Sequence, residues 1–145
     1  MRIIVTAGNT QTPIDRVRCI TNIFTGRTGA RIALAAHRRG HSVCLVTSHP
    51  EVVRDFARED LLPGTWEVRP YRTFDDLHER MAEAIPGGEF DAVVHAAAIS
   101  DFYVAGIYTP EPGTRFGAEE RTWSAEAGGP VKRCPARQSA LASVP

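Results

Sequence analysis

The runs Ile3-Ile4-Val5-Thr6-Ala7-Gly8 and Thr25-Gly26-Arg27-Thr28-Gly29-Ala30-Arg31-Ile32-Ala33-Leu34-Ala35-Ala36 decide the fold. The first is a short apolar run ending at a small turn, the pattern of a buried strand. The second opens a helix over about Thr28 to Arg39, with Gly40 just past its end. Thr28 is a suitable N-cap. Outward from this pair the alternation continues. Val43-Cys44-Leu45-Val46 reads as a second buried strand, and Val52 to Ala57 as one or two helical turns. Trp66 to Arg69 alternates like a less buried strand. Phe74, Leu77, Met81 and Ile85 share one face of a helix, with Asp75, Asp76 and Glu79 in its first half. Asp91 to Ala96 reads as a fourth buried strand. Strand and helix alternating at this spacing predict right-handed βαβ units and an α/β fold. That fold is a parallel sheet with helices on both faces. Ligands then bind at the carboxyl ends of the strands.

The composition fits one domain and removes several functions. The chain has 145 residues, 43% hydrophobic and 23% charged, with 17 basic and 17 acidic side chains. A net charge of zero argues against a nucleic-acid binder driven by bulk charge and against a polybasic membrane anchor. No apolar run is long enough to span a bilayer, and the first residues read as a strand rather than a signal peptide. A cytoplasmic protein is expected. Cys19, Cys44 and Cys134 form no Cys-x-x-Cys pair, so reduced thiols are expected rather than a disulfide framework. The five histidines show no ligand spacing, and no metal held by protein ligands is expected. Ser100 has no Gly-x-Ser-x-Gly elbow, which removes a serine hydrolase.

Charge is uneven along the chain. Between Arg16 and Arg39 the charged residues are six arginines and no acid, which suits an anionic ligand. The loop between the first strand and first helix exceeds the length at which loops are usually functional. It carries Ile14, Val17, Ile20, Ile23 and Phe24, so it is expected to pack rather than float. Gly8, Thr25, Gly26 and Gly29 are candidates for a phosphate cradle, because glycines let backbone N–H groups approach an anion at a helix N-terminus. Arg18 and Asn22 are four apart. If residues 15–19 make a helical turn, both could face one ligand, Arg18 as a fork for phosphate or carboxylate and Asn22 as donor and acceptor. After the fourth strand, Ala96-Ala97-Ala98 allows close packing of a flat ligand, and Asp101 supplies a carboxylate.

These residues carry a resemblance. Gly8-Asn9-Thr10, then Pro13-Ile14-Asp15-Arg16-Val17-Arg18-Cys19-Ile20-Thr21-Asn22-Ile23-Phe24-Thr25-Gly26-Arg27-Thr28-Gly29, is similar to the signature of phosphopantothenoylcysteine synthetase. That is the synthetase domain of the bifunctional coenzyme A biosynthesis flavoproteins. Ala96-Ala97-Ala98-Ile99-Ser100-Asp101-Phe102 resembles a second motif of that family. The likeness covers roughly residues 1–105. It implies a ligase joining 4′-phosphopantothenate to cysteine through an acyl-nucleotidylate made from CTP, with Mg2+ and no tightly bound flavin in this segment. It further implies that Arg18 and Asn22 belong to the acyl-nucleotidylate site, Asn22 binding the activated acyl group and polarising its carbonyl, and Arg18 ordering this loop or contacting an anion. Asp101, Ala97 and Ala98 would serve the nucleotide. A homodimer and association with a decarboxylase flavoprotein are expected partners.

The chain also departs from the pattern. Asn9 replaces a glycine, and Phe24 stands where serine is usual. Residues 1–105 are expected as the Rossmann-like nucleotide and phosphopantothenate-binding domain, the N-terminal part of the synthetase domain. Residues 106–145 are expected as an irregular arm or tail, with the C-terminal part of the family domain missing. Residues 104–145 hold five of the ten prolines and only six Val, Ile, Leu or Phe. Lys132, the lone lysine, is the candidate for the family's lid lysine. Two other readings stay open: a truncated or degenerate module that binds without turnover, and an NAD(P)-dependent Rossmann reductase.

Overall fold

The computed structural model describes residues 1–57, 61, 64–100, 102–110, 112–119, 121–125 and the backbone of 133–135. Along the chain run β1 (Arg2–Ala7), β2 (Gln11–Pro13), β3 (Cys19–Thr21), α1 (Arg27–Arg38), β4 (Ser42–Thr47), α2 (Val52–Phe56) and β5 (Trp66–Pro70). Then follow α3 (Phe74–Ala84), β6 (Ala92–His95), β7 (Tyr108–Pro110), β8 (Thr114–Gly117), β9 (Thr122–Ala125) and β10 (Arg133–Pro135). By contacts the chain divides into two compact units. One is Met1–Thr12 with Ile20–Phe102; the other is Pro13–Cys19 with Tyr103–Pro145.

The first unit is built on a four-stranded parallel sheet in the order β5-β4-β1-β6. Val5 lies opposite Leu45 on one side and Val94 on the other. Successive side chains of a strand point to opposite faces, so one strand feeds two cores. Val5, Ala7, Val43 and Leu45 pack with Ala30, Ala33 and Leu34 of α1 and Val52 and Val53 of α2. Ile4, Cys44 and Val46 pack on the other face with Tyr71 and with Leu77 and Ala84 of α3. Helices therefore cover both faces, as the βαβ alternation predicts. Burial pushes the Cys44 thiol up to about 11, so it acts as a core residue and not a nucleophile.

Three elements differ from expectation. α1 starts at Arg27 and its N-cap is Gly26, not Thr28. Gly26 takes the left-handed conformation (φ 80°), which lets the chain turn directly into the helix. β6 is not a fully buried strand but the edge of the described sheet, with alternate residues exposed and Val93 45% accessible. Its run of apolar residues fits a strand covered on both sides, and among the described residues one side has no neighbour. Residues 106–145 are not irregular throughout. β7 pairs antiparallel with β10, and β8 pairs antiparallel with β9, where the Phe116 and Trp123 rings meet at a 52° tilt with centroids 5.3 Å apart. Short strands with little apolar burial leave almost no periodicity to detect. No helix among the described residues is long and apolar enough to cross a membrane.

The start of α3 is secured by a capping box. Asp76 N–H donates to Thr73 Oγ1 at 3.1 Å, and Thr73 N–H donates to Asp76 Oδ2 at 2.8 Å. The Thr73 N–H bond, above all, holds the Asp76 carboxyl below its usual range. Thr73→Ala should cost about 1 kcal/mol of stability in denaturant unfolding. A carboxyl with a depressed folded value stabilises above its unfolded value of 3.8 and loses that contribution as pH falls through the folded one. The parent should therefore lose stability as pH falls below about 4, and Thr73→Ala, which keeps the backbone N–H, should retain most of that dependence.

Candidate active site

Three loops meet at the carboxyl ends of β1, β4 and β6, and buried hydroxyls join them. Thr6, fully buried, accepts from Ala96 N–H at 3.0 Å and Ala97 N–H at 3.2 Å. That leaves its own proton to donate to His95 Nδ1 at 2.8 Å. Thr10, also fully buried, accepts from Ser100 N–H through Oγ1 at 2.7 Å. Backbone bonds continue the pairing past the sheet: Ala98 N–H to Gly8 O at 2.8 Å and Thr10 N–H to Ala98 O at 3.2 Å. The turn after β6 is thus fixed on the turn after β1.

A cavity of about 510 Å3 opens here. Its walls are Gly8, the segment from Ile23 to Thr28, and Ala96, Ala97 and Ala98. Five of the predicted residues therefore line one space: Gly8, Thr25, Gly26, Ala97 and Ala98. Gly29 does not line it. A Cβ on Gly29 would sit 2.6 Å from Ala7 Cβ and 2.9 Å from Thr6 O, so this glycine lets α1 lie flat on β1. That close approach sets the first turn of α1 at the cavity. The first N–H groups of a helix have no intrahelical acceptor. Gly26 offers no side-chain cap, and the first turn carries no acidic residue. These donors and the helix dipole suit an anion at the cavity's floor, while the Arg27 guanidinium lies over the Phe56 ring, 5.9 Å from its centroid. A second, smaller cavity lies at the opposite, amino ends of β1, β4 and β5. Parallel sheets bind ligands at the carboxyl ends, which makes the first the candidate site.

The long loop does not bury its apolar side chains as expected. Ile23 is 91% and Phe24 63% exposed. The loop is held by polar bonds instead. Thr21 Oγ1 donates to Thr10 O at 2.9 Å, and Asn22 Nδ2 donates to Ala98 O at 3.1 Å. Ile23 and Phe24 then wall the cavity. Asn22 sits directly before that wall and is tied to Ala98 within it. One Nδ2 hydrogen and the Oδ1 atom keep capacity for a ligand.

Residues 15–19 do not form a helical turn. Asp15 closes a bend by accepting from Val17 N–H at 2.9 Å and Arg18 N–H at 2.8 Å. The Arg18 guanidinium grips the same carboxylate through Nε at 2.9 Å and Nη2 at 2.6 Å. Arg18, helped by the two backbone bonds, holds the Asp15 carboxyl down at about 2. Arg18 thus orders its own loop, and it belongs to the second unit while Asn22 belongs to the first. Asp101 and Lys132 lie outside the described residues. Not all of the arginines between 16 and 39 face a ligand: Arg31 lies over the Phe56 ring at 4.6 Å, and Arg39 donates to Ala35 O. Among the described residues no three metal-ligating side chains cluster.

Sequence reasoning missed Asn9, Ser48 and His49. Ser48 and His49 follow β4, a strand whose carboxyl end faces the site but whose loop lacks any motif. The usable signal was topological: β4 neighbours β1 in the sheet, so its turn has to abut Gly8 and Asn9.

Comparison with known proteins identifies the family. Residues 1–110 match the model of the DNA/pantothenate metabolism flavoprotein C-terminal domain. The chain is 37% identical over 103 residues to the coenzyme A biosynthesis bifunctional protein CoaBC of Thermococcus kodakarensis, covering 71% of this chain and 23% of that protein. It is 33% identical over 108 residues to CoaBC of Mycobacterium tuberculosis, covering 74% and 24%. The chain thus spans about a quarter of the length of these relatives. A solved DNA/pantothenate metabolism flavoprotein from Streptococcus pneumoniae superposes with TM-score 0.58 at 32% identity, over 76% of this chain and 42% of that one. The Rossmann-like sheet, its loop signature and these matches show that the chain belongs to the phosphopantothenoylcysteine synthetase family, that of the DNA/pantothenate metabolism flavoprotein C-terminal domain.

Proposed function

We propose that this chain carries the nucleotide and acyl-binding part of a ligase that joins 4′-phosphopantothenate to cysteine, using CTP. The single observation that carries the reading is the cavity walled by the N-terminus of α1, Ala96–Ala98 and the segment after Asn22. Nucleotide phosphates sit on the α1 N–H groups, and the alanines leave room for the base or ribose. In the first step a carboxylate oxygen of phosphopantothenate attacks the α-phosphorus and pyrophosphate leaves. In the second the cysteine amine attacks the acyl carbonyl and the nucleoside monophosphate leaves, with loss of the amine proton. Asn22 donates its remaining Nδ2 hydrogen to the acyl carbonyl oxygen and stabilises the charge that develops there.

The described lining fits the nucleotide and offers no carboxylate for a metal. A magnesium ion would be carried by phosphate oxygens, whose charge it offsets. The test is incubation with phosphopantothenate, CTP or ATP, Mg2+ and cysteine while pyrophosphate is followed. The expected result is release that needs phosphopantothenate and is faster with CTP. Nucleotide binding without release would identify a binding module instead. NADPH binding without CTP binding would point to the reductase and overturn the proposal.

A further inference from the structure

We propose that Asn9 is a positioning residue for Asn22, a role that rests on the reading of Asn22 as the acyl-binding amide. Asn9 stands where the family pattern has glycine, so its side chain must be absorbed by the site. It is absorbed completely: Asn9 is only 5% exposed, and each of its polar side-chain atoms is bonded. Nδ2 donates to the Asn22 backbone carbonyl. Oδ1 accepts from Ser48 Oγ at 3.1 Å and faces His49 Nε2 at 3.2 Å. The Asn9 N–H donates back to Ser48 Oγ at 2.9 Å.

The orientation of this amide is determined by its partners. A backbone carbonyl only accepts, so Nδ2 must face Asn22 and Oδ1 must face Ser48 and His49. His49 is itself held from behind, its Nδ1 lying 3.0 Å from Glu51 Oε1. Asn9 therefore links the β4 turn to Asn22 through Ser48, with His49 and Glu51 packed alongside. At its end Asn22 is tied twice, by its carbonyl to Asn9 and by its amide nitrogen to Ala98 O. Two ties fix both the backbone and the carboxamide before a ligand arrives. Donors that need no reorganisation at the moment of reaction are the ones that lower a barrier. A glycine at position 9 keeps the backbone bond to Ser48 Oγ but supplies neither the bond to Asn22 nor the side-chain contacts with Ser48 and His49.

The test compares the intact chain with Asn9→Ala and with the near-isosteric Asn9→Asp, which cannot donate to the Asn22 carbonyl. The side-chain amide signals of Asn22 are read by 15N NMR, identified by their loss in Asn22→Asp. Both Asn9 variants should shift those signals and speed their hydrogen exchange roughly tenfold or more. The kcat for phosphopantothenate-dependent pyrophosphate release should fall roughly ten- to hundredfold, the scale of a misplaced reacting group. The nucleotide KM should stay within about twofold, since the phosphate floor lies on α1. Asn22 signals like those of the parent in both variants would overturn the proposal. So would shifted signals with an unchanged kcat. A parent chain without pyrophosphate release sinks the ligase reading instead, and the amide signals alone then decide whether Asn9 positions Asn22.

Discussion

Asn22→Asp should lower the steady-state rate of phosphopantothenoylcysteine formation by about 100- to 1000-fold, the usual cost of removing one preorganised donor to a developing oxyanion. The substitution keeps the size of the side chain and removes both hydrogens of Nδ2. One of those hydrogens now reaches Ala98 O, 3.1 Å away. In the variant two oxygens face each other there, and the carboxylate also repels the charge forming on the acyl carbonyl. Binding of CTP should change by less than about threefold, because the phosphate floor is built from α1 and not from Asn22. A parallel loss of CTP affinity would move Asn22 from the acyl group to the nucleotide.

Gly26→Ala should destabilise the fold by about 2–5 kcal/mol, read as a shift in the denaturant midpoint. Two effects act together. The residue has φ +80°, a left-handed conformation that costs an L side chain about 1–2 kcal/mol. The added Cβ would also meet Gly8 N at 2.5 Å and Gly8 Cα at 2.9 Å, both backbone atoms that cannot rotate away. Gly40→Ala separates the two terms. Gly40 has φ +82° but nothing within 4 Å of its would-be Cβ, so it should show only the backbone part. Equal losses at the two positions would show that the contact between α1 and the β1 turn is not tight. Where Gly26→Ala still folds, α1 must retreat from β1, and nucleotide affinity should fall with it.

The sheet was legible because its strands are apolar runs of the right length, separated by helices with clear faces. Val5, Leu45 and Val46, all fully buried, are the residues periodicity selects. β6 was placed correctly along the chain but not in depth. Its composition reports how many faces a strand can bury, whereas exposure depends on which neighbours are present. The cavity-lining alanines and glycines were readable because small residues after parallel strands have a physical use. The apolar residues of the long loop misled, since Ile23 and Phe24 wall an open cavity rather than a core. The Asn9–Ser48–His49 link was not readable from local sequence. Its residues are 39 and 40 apart and meet only because β4 lies next to β1.

The N-terminus of α1 and the alanines after β6 are proposed to form a nucleotide site. The most direct measurement is a titration of the 15N-labelled chain with CTP and Mg2+, followed through backbone amide shifts. Saturable shifts should concentrate at Thr25–Gly29 and Ala96–Ala98, with none at Arg2, Cys44 or Glu67 beside the opposite cavity. Saturable shifts confined to that opposite end, or no shifts where NADPH produces them, would contradict the proposed site.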